Sequence, residues 1–272
     1  LPFDVLSNGF FDQLMSVPTI VWYTDNNIRI YRKRACFVTQ HIAKLLSDRL
    51  TIVAGFVPQG AIVADIGTDH AYLPIYLVHE GIAPKVVASD VGDGPVASAT
   101  RNVREAQVTA QVSVREGDGL ATLTADDAVN CVVIAGMGGA LITEILDRGL
   151  SHLRHQERLI LQPNVGGDRV REWLAAHQYG ISAERIIDDD HHIYEIIVAD
   201  PVLETVTLDP ADVLMGPQLR REKNSVWQAF WQERHEKNEK LLSQLSEAHS
   251  DQREKVDAVQ REQQMIEEAL KA

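Results

Sequence analysis

The residues best placed to do chemistry fall in one stretch, residues 61–74, which reads Ala-Ile-Val-Ala-Asp-Ile-Gly-Thr-Asp-His-Ala-Tyr-Leu-Pro. Residues 61–66 are apolar apart from Asp65, as in a short buried parallel strand. Gly67 follows at once, then polar residues, then helical spacing at Leu73, Leu77 and Val78. This order predicts strand, tight turn, helix. Glycine at the turn lets a ligand approach the backbone where a side chain would collide. The first amides of the next helix carry partial positive charge toward that ligand. The stretch lacks the G-x-G-x-x-G spacing of a dinucleotide site. An acid two residues before a lone glycine suits a cationic or amine-bearing ligand better than a pyrophosphate. An ordinary strand–loop–helix with a loop aspartate is the alternative.

Three further positions point the same way. Residues 85–90 form a second apolar run ending in Asp90, and an acid at the end of a second strand can accept from ribose hydroxyls. Asp90 also reads as a helix cap, because Asp93, Gly94 and Pro95 resemble a helix start. Residues 116–120, Glu-Gly-Asp-Gly-Leu, form a turn in which Asp118 can accept an adenine amino group or simply make the turn. Residues 129–135 are the most apolar run and lead into Gly136-Met137-Gly138-Gly139, which predicts backbone contact and room for a ligand beside the first turn. Tight helix–sheet packing is the other explanation for those glycines. S-adenosylmethionine (SAM), with a sulfonium and an amino group, fits such a set of acids; NAD has neither group.

The elements that must position these residues follow in order. Residues 41–57 have helical spacing at Ile42, Leu45, Leu46, Leu50, Val53 and Ala54, with Ser47-Asp48-Arg49 on the polar face. Helices are expected at 71–80, 95–107 and 168–177, the last after a fifth strand ending in Gln162-Pro163-Asn164. Two final strands flank Asp188-Asp189-Asp190-His191-His192. A metal site can be drawn from that cluster, but consecutive hairpin residues point in different directions, so a solvated loop is expected. The pattern predicts an α/β, Rossmann-like, class I methyltransferase architecture: a seven-stranded, mostly parallel sheet with a reversed last strand.

The chain has 272 residues and a net charge of −13, which argues against non-specific nucleic-acid binding but leaves room for a local basic face. No run is long enough for a membrane span, and no signal peptide is expected. Cys36 and Cys131 are expected as free thiols, which fits a reducing cytoplasm. Residues 1–40 follow no sustained period and are expected to be an extension outside the core; Arg32-Lys33-Arg34 there is alternatively an RNA-contacting arm. Residues 41–200 are expected to form the SAM-binding, Rossmann-like domain. Residues 201–272 are expected to form a helical coiled-coil hairpin that starts at Gln218 and turns near His249-Ser250-Asp251. Val226, Trp227, Phe230 and Trp231 are read as its seam, with packing on the main domain as the alternative. Arg220, Arg221 and Lys223 can contact phosphate or form a solvated face.

Asp-Ile-Gly-Thr-Asp-His-Ala-Tyr-Leu-Pro (65–74), Ser-Asp (89–90), Gly-Asp-Gly-Leu (117–120), Ile-Ala-Gly-Met-Gly-Gly (134–139) and Gln-Pro-Asn (162–164) together resemble the bacterial TrmK family. Its members are SAM-dependent tRNA methyltransferases acting on N1 of adenine 22. The resemblance covers residues 41–270. It implies that Asp65, Gly67 and Thr68 hold the methionine end of SAM, that Asp90 holds the ribose, and that Asp118 and Gly119 hold the adenine. Gly136 and Met137 would border the methyl. Asn164 would hydrogen-bond the flipped target base, and Asp69 or His70 would meet its N6 amine or the cationic product. His70 serves equally well as a structural bridge. The implied partner is tRNA, with no metal and no membrane. A SAM enzyme with another RNA or a small-molecule substrate is the first alternative, against which the long hairpin argues. A non-catalytic Rossmann and coiled-coil binding protein is the second, against which the intact acids argue.

Overall fold

The computed structural model describes residues 46–246 and 252–271. The segment 1–40, with its basic cluster and Cys36, and the hairpin turn expected near residue 250 lie outside those residues.

The sheet holds seven strands: β1 (Ile62–Ile66), β2 (Lys85–Asp90), β3 (Val112–Glu116), β4 (Cys131–Met137), β5 (Arg158–Pro163), β6 (Tyr179–Asp189) and β7 (His192–Pro201), in the order β3-β2-β1-β4-β5-β7-β6. Strands β1 to β5 pair in parallel, and β7 runs antiparallel to both β5 and β6. Successive strand residues point to opposite faces, and both faces are apolar. Val63, Val86, Val133 and Ile160 pack on one side against α1 (Asp48–Phe56), α2 (Tyr72–His79) and α3 (Asp93–Glu105). Ala64, Val132, Ile134 and Leu161 pack on the other against α4 (Gly139–Gly149) and α5 (Gly167–Ala176). Cys131 is sealed on the α1–α3 side with Val63 and Val133, and burial pushes its thiol up to about 12.

Residues 41–45 of the helix expected over 41–57 lie outside the described residues; Leu46 and Ser47 are not helical, and α1 begins at Asp48. The Ser47 hydroxyl accepts from the Leu50 amide at 3.2 Å, so Ser47 caps the helix instead of lying on its polar face. The hairpin starts later than expected. Lys223 adopts left-handed φ and breaks the chain between α7 (Pro217–Glu222), which follows α6 (Pro210–Met215), and the long α8 (Ser225–Ser246). Helix α9 (Arg253–Lys271) packs along α8.

Trp227 and Trp231 are not only a seam. They share a third core with Ile186 of β6, Met215, Leu219, Ile266 and Ala269, and the Trp227 indole donates to the Met215 carbonyl at 3.2 Å. Arg220 pairs with Asp209 and Asp212, and the Lys223 amine donates to the Ala269 carbonyl. Two of the three basic groups considered for phosphate are thus committed to protein partners.

One buried ionic cluster joins the sheet to this appendage. The fully buried Arg171 of α5 donates to Glu184 of β6 at 2.7 Å, to Glu195 of β7 at 2.9 Å and to the Val213 carbonyl of α6 at 3.2 Å. Glu184, also fully buried, accepts the Gln218 amide of α7 at 2.8 Å. Removing one partner strands the others without solvent. Glu184→Ala should therefore lower the unfolding free energy by about 3–5 kcal/mol, read as a drop in the urea midpoint, whereas Arg185→Ala on the exposed neighbouring pair with Glu222 should change it by under about 1 kcal/mol.

Candidate active site

Strand order reverses at β1, which has β2 on one side and β4 on the other. Their helices leave on opposite faces of the sheet, so the loops after β1 and β4 diverge and a crevice opens between them. A cleft of about 280 Å³ lies there, lined by Arg49, Asp65, Gly67, Thr68, Asp69, His70, Gly136 and Met137 among others.

The β1 loop is tied to β2. The amides of Gly67 and Thr68 both donate to the Ser89 carbonyl, at 2.8 and 2.9 Å. This closes the turn, with Gly67 at φ 75° and Asp69 and Ala71 also left-handed. A Cβ on Gly67 would meet only the flexible tip of Met137, so it is the left-handed φ of 75° that calls for glycine at this turn. Asp65 lies beneath, 5 % exposed, accepting from the Thr68 hydroxyl at 2.6 Å. Burial pushes its carboxyl up to about 6; the Thr68 bond opposes this and the Asp90 charge adds to it.

Asp90 ends β2. One carboxylate oxygen accepts the Asp69 amide at 3.3 Å and the other the Gly92 amide at 3.0 Å. The cap of α3 is Gly92, so the reading of Asp90 as that cap does not hold. Asp118 lies farther along the same edge, after β3. Its carboxylate is half-exposed and meets Arg148 at 3.2 Å. Gly119 has φ 53°, and a Cβ there would press on Ile145. Asp90, Asp118, Gly119 and Asn164 lie beside the cleft rather than among the residues that line it, and the Gly117 amide donates to the Asp90 carbonyl at 3.0 Å and links the two loops. The three acids therefore follow one another along the carboxyl edge of β1, β2 and β3.

His70 and Asp69 stand at the cleft's mouth. The His70 ring bonds Ser98 of α3 at 2.7 Å through Nδ1, approaches Asp69 at 3.4 Å through Nε2 and stacks on Tyr72. Opposite, β4 bulges between Ala135 and Met137, which places Gly136 at φ 79°. Packing accounts for Gly139, where a Cβ would strike the Gly166 carbonyl. Asn164, just past β5, donates through its amide to the Met137 carbonyl at 2.7 Å and through Nδ2 to the Gly136 carbonyl at 2.9 Å.

Arg49, Gln162 and Tyr194 were missed by sequence reasoning as site residues. Arg49 donates to the Gln162 side chain, its guanidinium lies 5.2 Å from the centre of the Tyr194 ring, and its amide donates to Asp189 at 3.1 Å. Of these, only Gln162 carried a local signal, as part of Gln-Pro-Asn. The Asp188–His192 segment thus contributes an anchor for α1. Among the described residues, no group of three or more His, Cys, Asp or Glu is arranged to hold a metal ion, and no helix is long and apolar enough to cross a membrane.

A family model described as TrmK, tRNA (adenine(22)-N(1))-methyltransferase, matches residues 63–268. The chain is 41 % identical over 208 residues to the Bacillus subtilis tRNA (adenine(22)-N(1))-methyltransferase, covering 75 % of this chain and 87 % of that protein. The crystal structure of the B. subtilis m1A22 tRNA methyltransferase TrmK superposes with a TM-score of 0.78 at 38 % identity, over 83 % of this chain and 98 % of that one. A Streptococcus pneumoniae protein crystallised with S-adenosyl-L-methionine superposes with a TM-score of 0.75 at 40 % identity, over 83 % and 99 %.

The burial of Asp65 has a sign that can be tested. Its folded value of about 6 lies above the unfolded 3.8, so between them the native state binds more protons. Stability then falls as pH rises through that window, and the full cost is present above it. The gap is worth about 3 kcal/mol at most. Asp65→Asn should stabilise the ligand-free protein by up to that amount at pH 8 and by little at pH 4, as measured by urea denaturation at both values.

Proposed function

The chain belongs to the TrmK family of tRNA (adenine(22)-N(1))-methyltransferases, and from that membership we propose that its cleft holds SAM and directs methyl transfer to N1 of adenine 22 in tRNA. The observation that carries the reading is Asp65: a carboxylate sealed between two glycine turns at the switch point, with its charge disfavoured by burial. A cation in the cleft offers the compensation that the surrounding protein withholds, and the cofactor is cationic and amine-bearing.

Asp65, Gly67 and Thr68 would hold the methionine end. Asp90, with lone pairs left over after its two backbone bonds, would accept from the ribose hydroxyls. Asp118 and Gly119 would flank the adenine farther along the edge, and Gly136 with Met137 would border the reacting group. Bound there, SAM supplies an electrophilic methyl on a sulfonium.

The residues of this chain then have mostly positioning to do. Adenine N1 has an in-plane lone pair, so its attack needs no strong base. The base must leave its stack to enter the cleft. Asn164 would hydrogen-bond the extruded base. Asp69, oriented by His70, would face the N6 amine and stabilise the positive charge that methylation places on the ring. A tRNA substrate supports the cytoplasm as the place where the enzyme works.

Nucleoside mass spectrometry of tRNA incubated with protein and SAM should reveal 1-methyladenosine, and its absence would reject the reading. Asn164→Ala should lower turnover roughly ten- to a hundredfold and Asp69→Ala about tenfold, each with SAM affinity kept. Cofactor binding should release a proton near pH 6, and affinity should fall about tenfold per pH unit below that. Titration calorimetry in buffers of different ionisation enthalpy reads both.

A further inference from the structure

The Gly136 peptide is gripped at both ends by side chains from the end of β5. Its N–H donates to Gln162 Oε1 at 2.9 Å, and its carbonyl accepts from Asn164 Nδ2 at 2.9 Å. Gln162 Nε2 donates in turn to Asn164 Oδ1 at 3.1 Å, and Arg49 Nη1 also donates to Gln162 Oε1.

A carboxamide's oxygen and nitrogen are hard to tell apart by shape, but here the chemistry decides. The Arg49 guanidinium and the Gly136 N–H can only donate. Gln162 must therefore turn its oxygen to them and its NH2 group to Asn164. Asn164 must then turn its oxygen to Gln162 and its NH2 group to the Gly136 carbonyl. Gln162 is fully buried, so no substrate reaches it, whereas Asn164 is exposed. After these bonds Asn164 keeps one lone pair and one N–H.

We propose that Arg49 and Gln162 are positioning residues that lock the amide orientation of Asn164, so that it reads the N6–N7 edge of the target adenine. The proposal rests on the methyltransferase reading above. In the locked orientation Oδ1 accepts from the N6 amine and Nδ2 donates to N7, the pairing that asparagine makes with adenine elsewhere. N1 stays unbonded, with its lone pair open to the methyl. The flipped orientation would set donor against donor at N6 and acceptor against acceptor at N7. Arg49 enforces the lock because a flipped Gln162 would press its NH2 group on two donors, and the Tyr194 ring keeps the guanidinium in place.

The test uses full-length tRNA carrying adenosine, purine riboside or 7-deazaadenosine at the target position, in single turnovers at saturating SAM. Purine riboside lacks the N6 donor and 7-deazaadenosine lacks the N7 acceptor. Intrinsic differences in N1 reactivity are common to all variants and cancel, so the readout is the change in the rate ratios relative to wild type. Gln162→Glu keeps an acceptor for Arg49 and Gly136 but has no donor for Asn164. It should shrink both preferences for adenosine by about tenfold, to the ratios of Asn164→Ala. Gln162→Met should do the same, and Arg49→Met should fall between. If Gln162 only supports the fold, all three substrates slow together; ratios held at wild-type values would overturn the proposal. Wild-type enzyme giving no 1-methyladenosine would overturn the reaction and this proposal with it, a failure visible in the adenosine arm alone.

Discussion

The site depends on the reversal of strand order beside β1. Strand β1 feeds α2 on one face of the sheet and β4 feeds α4 on the other, so the two loops part at the carboxyl edge and leave room. Gly67 and Met137 are what keep that room narrow. The methionine side chain fills the volume a Cβ at Gly67 would occupy, and the turns touch without closing. Each candidate residue then takes its place from the strand it terminates: Asp65 from β1, Asp90 from β2, Asp118 beyond β3, Gly136 from β4 and Asn164 from β5.

These acids are chemically unlike because their solvent exposure differs. Asp65 is sealed and its charge is disfavoured. Asp90 is partly covered and spends both oxygens on backbone amides. Asp118 is half-exposed and paired with Arg148. Charge compensation is therefore needed most at the inner end of the edge and least at the outer end. A ligand with its cation inward and neutral hydrogen-bonding groups outward matches that gradient, and a dinucleotide with its pyrophosphate at the first turn does not.

What the sequence disclosed was what lies contiguous in it. The strand, turn and helix at 61–74 could be read because Asp65, Gly67 and the apolar spacing follow one another. The mostly parallel sheet could be read because β1, β2, β4 and β5 are bounded apolar runs. Arg49 could not: its partner Gln162 lies 113 residues away, and on a helical wheel the arginine looks like a solvated face. Arg171 was equally silent, since its burial depends on Glu184 and Glu195 from a hairpin formed only in the folded sheet. The start of α8 was misplaced because Lys223 breaks the helix in a left-handed conformation without the glycine or proline that would announce it.

The two buried polar networks differ in kind, and the difference fits their positions. Arg171 sits among carboxylates that neutralise it, where the sheet meets α6 and α7, and it serves rigidity. The network beside the cleft is built mainly from amides, with Arg49 at its far end spread over the Tyr194 ring and the Gln162 oxygen. Amides suit this place. On the proposed reading, a carboxylate at the exposed position 164 would compete with Asp65 for the cation, and a guanidinium there would repel both a sulfonium and an N1-methylated ring. Amides carry direction without net charge, so they can fix the orientation of one side chain and leave the electrostatics of the cleft to the acid at the end of β1.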